Sequence, residues 1–378
     1  MKKLKIIVYL FIYFPILTIS QSLTSSTSID ITKFWHQEPG GYTYPINIFV
    51  PEGDIPDGGF PVCILLHGNG GNGGGMINQF KNTLKCHILV APSGYSKSWN
   101  ICDEASDAPD LEMVDELINQ IQTYSNINPN KIRILGSSNG AGLANNIFIQ
   151  NKNSGVDIVC AIVSHLNEPQ FHLGGFYASS SSTDPTAPYC GYDSLVYPLK
   201  TRKYLSVSNE NDAIIPYEGG SSVVGVDFLD AETAAFNIAS NQGYSGSKTT
   251  TGIIIGRPEI TEFSYLSGDV VHIKGDAEHG TNATQKEYIK SFFEDCILDL
   301  GTTRLTEDKL TIYPNPTIGN ILINTLDHVD EVKIYSTNGV LLMKSNSKSL
   351  DVSYLSEGIY IIEISFKDKV SRSKIFKK

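Results

Sequence analysis

The chain has 378 residues, 41% of them hydrophobic and 18% charged, with a net charge of −11 at pH 7. That length suits one large domain with its own core and a smaller second one. The acidity, with no basic stripe to offset it, excludes a nucleic-acid partner, and no C-x-x-C or Cys/His cluster marks a metal site.

Residues 1–20 are a targeting segment. Met1-Lys2-Lys3-Leu4-Lys5 is a basic start, Ile6 to Ile19 is apolar, and Thr18-Ile19-Ser20 supplies small residues before Gln21, the pattern of a cleaved signal peptide. The apolar run is short of the roughly 20 residues a membrane helix needs, and no later stretch approaches that length, so no transmembrane segment is expected in the mature chain. Export permits disulfides among the six cysteines. Cys63 and Cys160 sit in apolar runs and read as buried small hydrophobes. Cys102 and Cys190 lie in polar, loop-like surroundings and are the candidate bridge. Residues 21–40 are an N-terminal extension, and its Ser/Thr-rich Ser22 to Ser28 is expected to be disordered.

From 41 to 299 strands and helices alternate. Tyr44 to Val50 reads as a strand. Phe60 to Leu66 is apolar without alternation, as for a strand buried on both faces of a parallel sheet. His87 to Pro92 and Ile158 to Val163 read similarly, and Tyr204 to Ser208 and Val270 to Ile273 read as further strands. Leu111, Val114, Leu117, Ile118 and Ile121 keep the helical period behind Asp110 as N-cap, Asp230 to Asn241 is a second helix, and Lys286 to Leu298 closes the domain. Between Glu168 and Pro198 the pattern breaks into an insertion too long for an ordinary connection. Such alternation predicts a mostly parallel α/β sheet.

The segment Gly136-Ser137-Ser138-Asn139-Gly140 carries the chemistry. An apolar strand (Lys131 to Leu135) precedes it and helix-spaced apolar residues (Leu143/Ile147, Ala144/Phe148) follow. This G-x-S-x-G context is the nucleophile elbow, with Ser138 as nucleophile. A tetrahedral intermediate needs backbone N–H donors for its oxyanion. Asn139, after the nucleophile, offers one; Asn69, in the Gly-rich loop His67 to Gly75 after a buried strand, offers the other, with His67 as a structural residue fixing that loop. The loop lacks the Gly-Lys-Ser/Thr of a phosphate loop and the helix of a dinucleotide site, so no cofactor is expected.

A serine hydroxyl needs a histidine base, itself oriented by a carboxylate. On this fold the order is Ser, Asp/Glu, His. Of His165, His172, His272, His279 and His328, His279 lies in a loop past the last strand, beside Gly280, which would let the backbone turn the ring. His272 falls inside a strand pattern, as a core residue would. Asp212 stands at a strand end; Asp227, Asp276 and Glu278 compete for the acid.

Taken together, His67-Gly68-Asn69, Ser98-Trp99-Asn100, the elbow, Asn211 to Tyr217 and Glu278-His279-Gly280 resemble secreted esterases of the polyhydroxybutyrate depolymerase / feruloyl esterase family. The resemblance covers roughly Gly41 to Cys296. It implies an α/β-hydrolase with a Ser138–Asp212–His279 triad, and Trp99 is a candidate substrate contact. The implied activity is hydrolysis of carboxylic esters, feruloyl or acetyl groups on xylan or, alternatively, a polyhydroxybutyrate-like polyester. The family's oxyanion loop often has Cys or another small residue where Asn69 stands. A reading of another class is a non-catalytic carbohydrate-binding protein on a hydrolase scaffold.

Residues 300–308 read as a linker, and 309–378 as a small all-β sandwich of short strands with an Asn338-Gly339 hairpin turn. Tyr313-Pro314-Asn315-Pro316-Thr317, Ser336-Thr337-Asn338-Gly339 and Leu355-Ser356-Glu357-Gly358-Ile359-Tyr360 resemble the C-terminal sorting domain of the type IX secretion system. That implies the secretion machinery as partner and a protein released or attached at the outer surface.

Overall fold

A computed structural model describes residues 21–179, 183–293, 311–324, 329–366 and 369–378. The expected signal segment, the linker, Cys296 and His328 lie outside the described residues. The chain divides into two compact units between residues 297 and 298.

The first unit is built on nine strands and five helices: β1 (Ile46–Phe49), β2 (Phe60–Leu66), α1 (Gly73–Phe80), β3 (Ile88–Pro92), α2 (Asp110–Ile121), β4 (Ile127–Ser137), α3 (Asn139–Gln150), β5 (Val156–Ile162), β6 (Lys203–Asn209), α4 (Ala231–Asn241), β7 (Ile253–Ile255), β8 (Ile260–Tyr265), β9 (Val270–Gly275) and α5 (Ala283–Phe293). The sheet order is β7-β8-β9-β6-β5-β4-β2-β3-β1. The six strands from β9 to β3 run parallel, and antiparallel partners close both edges.

All seven residues of β2 are buried, because its alternate side chains enter two cores. Val62, Ile64 and Leu66 join Val114, Leu117, Leu143, Phe148 and Ile238 of α2, α3 and α4 on one face. Cys63 and Leu65 join Met76, Phe80, Ile289 and Phe293 of α1 and α5 on the other. A non-alternating apolar run is the sequence form of this two-sided burial. Cys63 and Cys160 are free and buried, as read.

Four expectations change. The Gly-rich loop, read as having no helix behind it, leads into α1, capped by Asn72 Oδ1, which accepts from Gly75 N–H at 2.9 Å. Ser22 to Ser28 is ordered: Leu23 is buried, its N–H donates to Asn126 Oδ1 and its carbonyl accepts from Asn126 Nδ2. Leu23, Ile29 and Ile31 anchor the segment to the core, an apolar signal diluted by the hydroxyl residues around it. Asp110 is the first residue of α2 rather than its cap; its carboxylate accepts from Tyr44 O–H and Asn100 N–H instead. The insertion after β5 is a three-stranded antiparallel sheet of Phe171–His172, Gly175–Ser179 and Tyr192–Val196, tied to the loop before α2 by a Cys102–Cys190 disulfide.

The second unit is a sandwich of a three-stranded and a four-stranded antiparallel sheet. Ile321 and Leu350 of one pack with Val332, Ile334, Ile362 and Ile364 of the other. Gly339, at φ +85°, turns the expected hairpin. Two strands had no sequence signal: Ser349–Asp351, only three residues long, and Lys369–Lys377, a charged edge strand. Among the described residues no helix is long and apolar enough to cross a membrane.

Candidate active site

The site forms where β4 turns into α3. Ser138 occupies that turn at φ 53°, ψ −120°, a conformation a non-glycine residue adopts only where its surroundings enforce it. The flanking glycines show the enforcement. A Cβ on Gly136 would lie 2.1 Å from Gly140 O, and one on Gly140 would lie 2.3 Å from Leu66 O. Neither position holds a side chain, so strand and helix approach closely and Ser138 is pushed out of the turn.

His279 Nε2 lies 2.7 Å from Ser138 Oγ, and His279 Nδ1 lies 2.8 Å from Asp212 Oδ2. Asp212 follows β6, and its Oδ1 accepts from Ile214 N–H at 2.8 Å and Ile215 N–H at 3.1 Å. Burial pushes the Asp212 carboxyl upward, but the hydrogen bonds from His279 and the two backbone N–H groups outweigh it and hold the group below the ordinary carboxylate range. An ionised Asp212 facing Nδ1 keeps the proton there and leaves Nε2 to accept from the Ser138 hydroxyl. Asp227, Asp276 and Glu278 are exposed and do not take this place. His272 is fully buried and bonded to Tyr217 Oη at 2.9 Å, a core residue.

The loop carrying His279 is shaped by two residues to which the sequence reading gave no role. Asn209 Nδ2 donates to Glu278 O and Gly280 O, while Asn211 donates to Asp276 O and accepts from Glu278 N–H. The left-handed turn falls on Glu278, at φ 52°, rather than on Gly280. The Asn-x-Asn-Asp spacing at the end of β6 was the available signal.

On the other side of Ser138, Gly68 packs close: a Cβ there would sit 3.3 Å from Ser138 Cβ. Gly70 N–H donates to Lys97 O and Gly71 N–H to Gly68 O, whereas Asn69 and Asn139 N–H have no backbone acceptor among the described residues. The His67 ring is structural, as read. Its Nε2 accepts from Gly94 N–H at 3.0 Å, so Nδ1 carries the proton and donates to Gly68 O at 2.8 Å. Burial lowers its pKa, which favours that neutral form.

Trp99 departs from expectation. Its side chain is fully buried, donates from Nε1 to His67 O at 2.7 Å and packs on the His67 ring, so it braces the Gly-rich loop from behind and offers no face to substrate. The Asn139 side chain has a comparable task. Its Oδ1 accepts from Trp99 N–H at 2.7 Å, and its Nδ2 donates to Trp99 O and to Glu104 Oε1. Glu104 also accepts from Ile101 and Cys102 N–H; burial raises its pKa against these bonds. Nothing in the sequence spacing linked Glu104 to the elbow.

A mainly parallel sheet with helices on both faces and a serine raised on the turn after a central strand is the α/β-hydrolase fold. Solved structures with similar folds include a carboxylesterase from Bacillus cereus (13% identity, TM-score 0.42, 66% of this chain and 93% of that chain). Others are a phospholipase/carboxylesterase from Dyadobacter fermentans (13%, 0.41, 66% and 96%) and a poly(3-hydroxybutyrate) depolymerase from Bordetella parapertussis (15%, 0.33, 46% and 62%). No curated protein sequence matches the chain. Residues 311–378 match the family of secretion system C-terminal sorting domains, so the second unit is a type IX sorting tail, which marks the protein for the cell surface or the extracellular space.

Proposed function

We propose that the protein is a secreted serine esterase acting on carboxylic esters of plant cell-wall polysaccharide, acetyl or feruloyl groups on xylan. The observation that carries the hydrolytic reading is the hydrogen-bonded line Ser138 Oγ–His279 Nε2, His279 Nδ1–Asp212 Oδ2. In this mechanism His279 takes the Ser138 proton as Oγ attacks the ester carbonyl carbon. The oxyanion is held by the N–H groups of Asn139 and Asn69. The C–O bond then breaks, the alcohol leaves with the proton from His279, and an acyl-Ser138 ester remains. Water, deprotonated by His279, releases the acid and restores the serine. Asp212 fixes the imidazole and stabilises its charged form. A signal segment at 1–20 and the sorting tail would route the enzyme outward.

Extracellular polyester of the polyhydroxybutyrate type is the competing substrate. Product analysis after incubation with acetylated xylan, feruloylated xylan and polyhydroxybutyrate separates these, with acetate or ferulate release expected. Hydroxybutyrate release alone would replace the polysaccharide reading. Equal p-nitrophenyl acetate turnover by wild type and Ser138→Ala would return the chain to the class of non-catalytic binding proteins.

A further inference from the structure

The inserted sheet carries a column of stacked rings. His172 lies parallel to Tyr177, with centroids 3.9 Å apart and planes at 17°, and to Tyr189 at 3.8 Å and 7°. Ring pairs elsewhere in the unit meet at an angle, as Trp35 and Tyr95 do at 87°, the geometry the ring quadrupole favours. The column is held by its frame. His172 Nδ1 bonds Glu168 O at 3.0 Å, and Tyr177 lies in the central strand of the inserted sheet. Tyr189 and Cys190 both adopt left-handed backbone, at φ 51° and 53°, a cost that persists only where the surroundings impose it. The Cys102–Cys190 bond supplies that constraint. At the end of the column Tyr189 is 40% exposed although His172 covers one of its faces.

Two chains of contacts lead from the column to the ester site. Cys102, bonded to Cys190, shares Glu104 with Asn139. Tyr177 and Ile214 pack on the cluster formed by Cys102, Cys190 and Ile215, and Ile214 and Ile215 supply the N–H groups that hold Asp212.

We propose that Tyr189 is a stacking platform for a sugar ring of the polysaccharide that bears the ester, a subsite for the polymer rather than for the acyl group. The proposal rests on the polysaccharide-esterase reading above. A pyranose offers an apolar C–H face to a flat ring and hydroxyls at its rim. On the same loop Asp184 is exposed, its Oδ1 accepting from the N–H and hydroxyl of Thr186, which fixes a carboxylate within reach of the rim hydroxyls of such a ring. An acyl group is instead enveloped by a concave pocket, which a single exposed ring does not provide.

The test uses the full chain with Ser138→Ala, so that substrate binds without turnover, in native gels containing soluble acetylated xylan. The Ser138→Ala protein should be retarded. Adding Tyr189→Ala should weaken the apparent affinity about tenfold, and Tyr189→Phe should keep it, since the ring remains. In the catalytic chain, Tyr189→Ala should lower kcat/KM on acetylated xylan about tenfold relative to p-nitrophenyl acetate, mainly through KM. Equal retardation with and without the Tyr189→Ala change overturns the platform. So does a larger loss on methyl ferulate than on acetylated xylan, which would give the ring to the acyl group. If the wild type hydrolyses no ester at all, the esterase reading fails, while the gels still decide whether Tyr189 holds a glycan.

Discussion

Ser138 and His279 stand 141 residues apart in sequence and 2.7 Å apart across the site. The two ends of that contact are positioned independently, Ser138 by the glycines of its turn and His279 by the side chains of Asn209 and Asn211. Removing the nucleophile alone should leave the frame intact. Ser138→Ala is expected to lower kcat on p-nitrophenyl acetate by about a thousandfold or more with an unchanged melting temperature. A variant retaining most of its activity would place the nucleophile elsewhere.

Asp212 gives a pH prediction with a definite sign. Its folded-state pKa lies below the ordinary 3.8, so on acidification the unfolded chain takes up the proton first. The stabilisation is complete above 3.8 and is lost as pH falls through the folded value. Asp212→Asn, which cannot titrate, should melt below wild type at neutral pH, and the gap should close in acid. A gap that keeps its size as the pH falls below 3.8 and through the folded value refutes the assignment. The same variant should lose about 10⁴-fold in kcat, because His279 can then hold the wrong tautomer.

Gly140 is packed against backbone rather than against flexible side chains. A methyl group there would meet Leu66 O at 2.3 Å and His67 O at 2.5 Å. Gly140→Ala is expected to cost about 1–3 kcal/mol in chemical denaturation. It should also depress turnover, because the displaced carbonyls lead into Gly68 and Asn69. Unchanged stability and rate would mean that the elbow has slack.

The Cys102–Cys190 bond joins positions 88 residues apart. A double Cys→Ser variant should lose about 2–4 kcal/mol, from the constraint such a closure places on the unfolded chain. Denaturant titration against wild type measures it, and an equal midpoint would show the bond to be idle.

Deleting residues 311–378, which match the sorting domain, should leave the protein in the periplasm of a host with type IX secretion. Fractionation and blotting report the outcome, and undiminished release into the medium would refute the tail's role.

The parallel sheet was legible because β2, β3 and most of β5 are buried on both faces and therefore read as apolar runs. The order of Ser138, Asp212 and His279 was legible because each falls at a strand end, where an open sheet exposes its loops. What escaped had no period to read. The edge strand β7 is only three isoleucines, two of them exposed, β8 carries mixed polarity, and the strands of the insertion are two to five residues long. Trp99 misled for a physical reason: an indole beside a catalytic loop serves equally as a wall or as a contact, and only its burial, together with the bond to His67 O, tells which. The partners of Glu104 were invisible for the same cause, since a buried carboxylate in an irregular loop looks like any surface acid.

Cys102 belongs to the loop that Asn139 grips, and Cys190 to the loop that presents Tyr189. Thiols of this kind stay reduced in the cytoplasm and pair beyond it. The two loops are therefore joined covalently only after the chain has left the cytoplasm. Export is thus a step in the maturation of this chain: the compartment that receives it supplies the covalent bond that ties these two loops together.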